Sequence, residues 1–241
     1  MTASVRGMLT SLSQRDPALV ERMDDPDCDT ATLYRTYANF RVVNGLLAGW
    51  RQTYLTHLRP VFTGPHHTLL DIGAGGGDVA RALIRWAARD GVRLEVTGID
   101  PDPRAAEYVD TLPPVDGYRH RRNSSSDLAD DGERFDIVVS NHVLHHLSAV
   151  ELGTVLADSE RLATRVVVHS DIRRSPAAYV LYGIFTAGTF PRSFIREDGL
   201  LSIRRSYTAA ELERLAPAGW SVSAQSPHRV VLARRTSVGS H

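Results

Sequence analysis

The run Leu69-Leu70-Asp71-Ile72-Gly73-Ala74-Gly75-Gly76-Gly77-Asp78 passes from a short apolar stretch into a glycine cluster, and the residues after it place Val79, Leu83 and Trp86 at helical spacing. A strand that turns through glycines into a helix is the opening unit of a doubly wound α/β sheet, in which ligands bind at the carboxyl ends of the strands. Glycines there let the backbone turn sharply and approach a ligand closely, because no Cβ stands in the way. A second strand, expected over residues 93–98, leads into Ile99-Asp100-Pro101, and Asp100 lies 23 residues after Gly77. From that position a carboxylate can accept both hydroxyls of a ribose. A glycine loop alone also serves as an ordinary tight turn, and a strand-ending Asp also caps helices. In register, the two point to a nucleoside site.

The same loop argues against one class of nucleotide. A dinucleotide fingerprint G-x-G-x-x-G would need glycine at position 78, where a pyrophosphate meets the helix N-terminus. Asp78 stands there instead. A carboxylate repels phosphate and tolerates an ammonium or a sulfonium, so an NAD-dependent dehydrogenase is disfavoured.

Further along, the alternation continues. Residues 103–109 are expected as a helix, 120–123 as the end of a weakly patterned third strand, 135–140 as a buried strand, 149–163 as a helix and 165–169 as a fifth strand. Thr208 followed by Glu211 has capping-box spacing for a helix over 208–215. Residues 220–224 and 228–233 read as an antiparallel pair around Gln225-Ser226-Pro227. The expected class is α/β: a doubly wound, mainly parallel, Rossmann-like sheet with N-terminal helices and a helical insert after strand five. Residues 1–60 are assigned to a leader and helical lid, and 61–241 to the core, with the insert 172–206 contributing to an acceptor pocket. Residues 1–30 are polar and are expected to fray or pack loosely. Leu33, Tyr37, Phe40, Val43, Leu47, Trp50 and Tyr54 then recur at helical steps.

Composition narrows the functions. At 42% hydrophobic residues the 241-residue chain can bury a real core. Lys+Arg 28 balances Asp+Glu 28, without the basic excess of a nucleic-acid binder, and every one of those cations is an arginine. The single cysteine, Cys28, sits among aspartates, which destabilise a thiolate and make it a poor nucleophile. No signal-peptide pattern opens the sequence, and no uncharged apolar run approaches the ~18 residues of a membrane span. A cytoplasmic protein without a membrane span is expected.

The glycine segment resembles motif I of the class I S-adenosylmethionine-dependent methyltransferases, and Ile99-Asp100-Pro101 resembles their ribose-binding strand end. Phe135-Asp136-Ile137-Val138-Val139-Ser140-Asn141-His142-Val143-Leu144-His145-His146-Leu147 is similar to their fourth strand and following turn. The resemblance runs from about residue 69 to 168 and implies a seven-stranded sheet with an antiparallel last strand. It also implies S-adenosylmethionine as cofactor and S-adenosylhomocysteine as product. Asp71, Gly73 and Gly75 would shape the pocket, with the Gly73 backbone beside the methionine part. Asp100 would take the ribose hydroxyls, Pro101 would pack near the adenine, and Asn141 would offer its backbone carbonyl to the cofactor ammonium. Asp127 and Leu128 would supply the adenine-edge contact, with Asn123-Ser124-Ser125-Ser126 as rivals.

Methyl transfer to a hydroxyl needs an aligned nucleophile, exclusion of water and a base. The candidates are His142, His145 and His146 in the turn after strand four and His169 at the end of strand five, because imidazole titrates near neutrality. Histidines in this turn also serve packing, and His169 is equally a strand-end residue bonded to a neighbour. His142 and His146 have a metal-like spacing, but no Glu or Cys nearby in the sequence completes a ligand set, so no metal is expected. His66 and His67 are expected to be solvated.

Around the core, Tyr34, Tyr37, Phe40 and Trp50 and the run Ala177-Ala178-Tyr179-Val180-Leu181-Tyr182-Gly183-Ile184-Phe185 would cover an uncharged, partly hydrophobic acceptor. Arg173, Arg174, Arg192 and Arg196 would either meet an acidic group or sit solvated at a rim. No Asn/Asp-Pro-Pro-Tyr follows strand four and no Pro-Cys pair occurs. That sets aside amino methylation of adenine or glutamine and attack on a pyrimidine ring. Tyr37-x-x-Phe40-x-x-Val43-Asn44-x-x-Leu47-x-x-Trp50 is similar to a bacterial subgroup found near polyketide-type pathways. The expectation is O-methylation of a phenolic or polyketide-like small molecule in secondary metabolism. The alternatives are C- or N-methylation of a quinone-like or amine acceptor, and a non-catalytic cofactor-binding regulatory partner. A homodimer is left open.

Overall fold

The structure, a computed structural model, describes residues 12–236. Its strands are β1 (His66–Ile72), β2 (Arg93–Ile99), β3 (Tyr118–Arg121), β4 (Phe135–Asn141), β5 (Ala163–Ile172), β6 (Ser221–Gln225) and β7 (Arg229–Arg235). They form one seven-stranded sheet in the order β3-β2-β1-β4-β5-β7-β6. The first five are parallel, and β7 runs antiparallel to both of its neighbours. Strand order reverses between β1 and β4, which opens a crevice at their carboxyl ends.

The helices are α1 (Thr30–Leu47), α2 (Trp50–Thr53), α3 (Asp78–Arg89), α4 (Pro103–Asp110), α5 (Ser125–Asp130), α6 (Ala149–Leu162), α7 (Pro176–Phe185), α8 (Ile195–Arg205) and α9 (Ala209–Leu215). Strand β4 is apolar at consecutive positions because both faces are covered. Leu69, Val96, Ile137 and Val139 pack with Leu83 of α3 and with Trp50, Tyr54 and Leu58 on one face. Leu70, Ile72, Val138 and Val167 pack with Leu128 and Leu162 on the other. Capping boxes at Ser124/Asp127, Ser148/Glu151 and Thr208/Glu211 start α5, α6 and α9.

Several boundaries differ from the sequence reading, each for a tertiary reason. β5 extends to Ile172 because β7 pairs with it that far, and Asp171 therefore lies inside the sheet opposite Val230. Trp50, Tyr54 and Leu58 belong to the sheet core rather than to a lid. The leader is not loose over residues 12–29; its expected first part, residues 1–11, lies outside the described residues. The backbone N–H groups of Arg22 and Met23 donate to the Asp198 carboxylate at 2.7 and 3.0 Å. Arg104 donates to the Met23 carbonyl at 3.0 Å. Arg174 is buried rather than solvated and ties three segments together, donating to the carbonyls of Leu12 (3.1 Å) and Ser206 (2.6 Å) and to Glu211 Oε1 (2.6 Å). Among the described residues no helix is long and apolar enough to cross a membrane.

Removing a buried cation leaves its acceptors unpaired in low dielectric. Arg174→Met should therefore lower stability by about 3 kcal/mol in urea unfolding and speed proteolytic cleavage within residues 12–29. Unchanged stability would contradict the leader's anchoring.

Candidate active site

A cavity of about 710 Å³ lies over the carboxyl ends of β1, β2 and β4, under a roof made by the leader, α1, α7 and α8. One end is built by the glycine loop. Gly73 has φ +66, and a Cβ there would stand 2.5 Å from the Val143 side chain. Gly77 has φ +72, and a Cβ there would meet the Tyr118 hydroxyl at 2.5 Å. Both positions require glycine, for conformation and for space.

Asp100 sits at the end of β2, where its carboxylate accepts from the Gly75 N–H and the Asp102 N–H, both at 3.0 Å. Those two bonds orient it toward the cavity that it lines. Burial pushes its carboxyl above the usual range. Asp71 is raised further by burial and by the charges of Asp78 and Asp100, and its Oδ1 is buried with no hydrogen-bond donor. Gly73, Gly75, Pro101 and Asn141 line the same cavity, together with Asp71 and Asp100.

The other expected cofactor contacts are corrected. Leu128 is 0% exposed within the core, and Asp127 spends its carboxylate on the Ser124 N–H at 2.8 Å in the α5 capping box. Neither borders the cavity. His169 is corrected as well. It is 0% exposed, its Nδ1 meets Ser140 Oγ at 2.7 Å, and it stacks on Trp220 away from the cavity. Burial drags its pKa down to about 3. His67 is structural rather than solvated, with Nδ1 3.1 Å from Asp136 Oδ2.

The remaining three candidate histidines also line the cavity, and their partners give them different chemistry. His145 is buried, with Nδ1 2.8 Å from Asp171 Oδ1 and Nε2 3.2 Å from Glu21 Oε1. Burial alone would lower its pKa, but the charge and hydrogen bond of Asp171, together with the nearby Glu21 carboxylate, outweigh it and raise it to about 9. His145 is an imidazolium at neutral pH and cannot take a proton.

His142 adopts φ +58 just after β4. Arg229 Nη1 lies 2.8 Å from its Nε2. A guanidinium only donates, so that nitrogen is the acceptor and its lone pair is occupied. Burial and the Arg229 charge hold the His142 pKa well below its ordinary value. His146 stacks on His145 at 4.2 Å, with Nδ1 3.3 Å from Asp24 Oδ2 and Nε2 3.9 Å from Glu21. Its side chain is 31% exposed on the cavity side.

Glu21, Asp24, Asp171 and Arg229 carry no local sequence signal that ties them to these histidines. Glu21 and Asp171 supply the carboxylates that the local spacing lacked, so His145 belongs to two potential ligand groups, one with Glu21 and His146 and one with His142 and Asp171. Cations already sit in both. Arg205 Nη1 is 3.6 Å from Glu21 Oε1 and 3.2 Å from Asp24 Oδ2, while Arg229 occupies His142. A dication would be opposed by these guanidinium groups. Cys28 receives a 3.3 Å contact from Arg104, yet burial keeps its thiol pKa raised, as expected of a poor nucleophile.

The roof is apolar where Tyr37, Phe40, Val43 and Leu47 of α1 face Leu181 and Phe185 of α7. Of the aromatic lid residues expected from the sequence, Trp50 is in the core and Tyr34 packs on Tyr108 instead.

A family model described as a methyltransferase domain matches residues 47–179, more than half of the chain. The chain belongs to the class I S-adenosylmethionine-dependent methyltransferases. Two curated relatives are named ubiquinone biosynthesis O-methyltransferase. That of a Methylobacterium species is 30% identical over 85% of this chain and 74% of its own length. That of Azorhizobium caulinodans is 29% identical over 64% of this chain and 59% of its own length, so the match spans under two thirds of that protein. Among solved structures, the plantazolicin methyltransferase BpumL in complex with SAH superposes with TM-score 0.62 at 13% identity, covering 95% of this chain and 96% of that one. Human N-acetylserotonin methyltransferase in complex with SAM gives TM-score 0.61 at 12% identity, covering 86% and 56%. These likenesses establish the shared methyltransferase fold.

In this methyltransferase the folded pKa of His145 stands above the unfolded value of about 6.5. Its contribution to stability is therefore complete below pH 6.5 and lost as pH rises through about 9. The stability gap between wild type and His145→Gln should narrow by roughly 3 kcal/mol across that window, as followed by urea unfolding. A constant gap would contradict the imidazolium assignment.

Proposed function

We propose that the chain transfers the methyl group of S-adenosylmethionine to a hydroxyl oxygen of a small, largely apolar acceptor of phenolic or polyketide-like type, with His146 taking the hydroxyl proton. The observation that carries this reading is the division of labour among three neighbouring histidines. His145 is already protonated and His142 is capped by Arg229. His146 faces the cavity with a carboxylate behind its Nδ1.

When bound, the cofactor supplies an electrophilic methyl group on a sulfonium and leaves as S-adenosylhomocysteine. Asp100 holds the ribose hydroxyls and the glycine loop gives backbone room for the amino-acid arm. The apolar faces of α1 and α7 enclose the acceptor and exclude water, which strengthens the electrostatics inside. His146 would take the proton of the acceptor hydroxyl, and Asp24 would stabilise the resulting imidazolium, as a carboxylate orients the base of a catalytic dyad. The relatives' name, O-methyltransferase, and the apolar roof both favour a hydroxyl on a hydrophobic ring system.

With a panel of phenolic acceptors and S-adenosylmethionine, His146→Gln should lose about 100-fold in kcat while cofactor affinity stays within a few-fold. Asp100→Ala should lose cofactor binding by calorimetry. Methylation of an amine or a ring carbon that is indifferent to His146 would overturn the hydroxyl reading. Cofactor binding with no turnover on any acceptor class would favour a regulatory partner.

A further inference from the structure

We propose that Asp78, held by Asn44 of α1, receives the ammonium of the cofactor's amino-acid arm, so that the roof helix itself reads that arm. This inference rests on the reading of the cavity as an S-adenosylmethionine site.

Asp78 is the first residue of α3 and the loop position least suited to a phosphate. It lines the cofactor end of the cavity, and Asn44 Nδ2 donates to its Oδ2 at 3.0 Å from the last turns of α1. Two neighbouring acceptors in the same wall have nothing to accept. Asn44 Oδ1 and Asp71 Oδ1 are both buried without a donor, in side chains 8% and 2% exposed. Buried polar atoms are normally satisfied, and an orphaned acceptor costs about 1–3 kcal/mol unless a ligand or water fills it.

The charge is also one-sided. The charges acting on Asp71 are those of Asp78 and Asp100, both negative, and burial raises all three carboxyl groups. A wall with excess negative charge and surplus acceptors is complementary to a primary ammonium, which brings three N–H donors and a positive charge to one point. Asp78, Asn44 Oδ1 and Asp71 Oδ1 match that group in number and in charge. An amino-acid arm seated there would bridge the start of α3 to α1 and couple cofactor binding to closure of the roof.

The test separates the arm from the nucleoside. S-adenosylhomocysteine carries the arm without the sulfonium charge, and 5′-methylthioadenosine keeps the adenosine and thioether but lacks the arm. In calorimetric titrations, Asp78→Asn should weaken S-adenosylhomocysteine about tenfold or more and leave 5′-methylthioadenosine within twofold. Asn44→Ala should weaken the former several-fold. Amide exchange across residues 30–47 should slow with S-adenosylhomocysteine and not with 5′-methylthioadenosine. Unchanged affinity in both variants, or equal weakening of both ligands, would overturn the inference while leaving the cofactor assignment intact. A wild-type chain that binds neither ligand would overturn the cofactor assignment and the inference with it.

Discussion

The upper half of the molecule rests on the ion pair between Asp171 and His145. Asp171 lies near the end of β5, where it accepts from the His145 N–H at 2.8 Å and from the Ile172 N–H at 2.6 Å and meets the His145 ring at 2.8 Å. The same ring reaches Glu21 of the leader, and Glu21 in turn accepts from Ser202 of α8 at 2.9 Å. Sheet, histidine turn, leader and insert therefore meet through one imidazolium. A charge buried this deeply persists only because it is paired on both sides, and removing either carboxylate would strand it in low dielectric.

From that constraint the chemistry of the cavity divides. At the acceptor end, Glu21, Asp24 and Asp171 are met by His145, Arg205 and Arg229, leaving the network close to neutral. At the cofactor end, Asp71, Asp78 and Asp100 lie together; Asp78 and Asp100 accept hydrogen bonds, Asp71 Oδ1 accepts none, and no ion pair joins any of the three to a cation among the described residues. Such a partition is complementary to a cationic cofactor. Identical side chains a few residues apart acquire opposite roles because partners, more than residue type, set their protonation.

Much of this was legible in the chain itself. The glycine loop, the carboxylate at the end of β2 and the alternation of strands and helices are local patterns, and local patterns survive folding when both faces of a sheet are covered. The histidine cluster was legible as a set but not as individuals, because its partners come from far away. Arg229 is 87 residues from His142, and Glu21 belongs to a segment whose composition suggests a loose leader. His169 looked functional because strand five was expected to stop there. The strand runs on to Ile172, and its pleat turns His169 onto Trp220 instead of into the cavity. Asp127 and Leu128 were misplaced for a similar reason, since a capping box and a core position use residues that a motif alone would assign to a ligand.

The most direct test of the central claim, that one cavity sets the cofactor's sulfur before His146, is a crystal structure with S-adenosylhomocysteine bound. The expected result has the ribose hydroxyls on Asp100, the adenine against Pro101, and the sulfur facing open space from which a hydroxyl, placed in line behind the missing methyl, lies within about 3 Å of His146. Adenosine bound outside the glycine loop, or a sulfur turned toward a wall from which the His145–Glu21 pair screens His146, would contradict it.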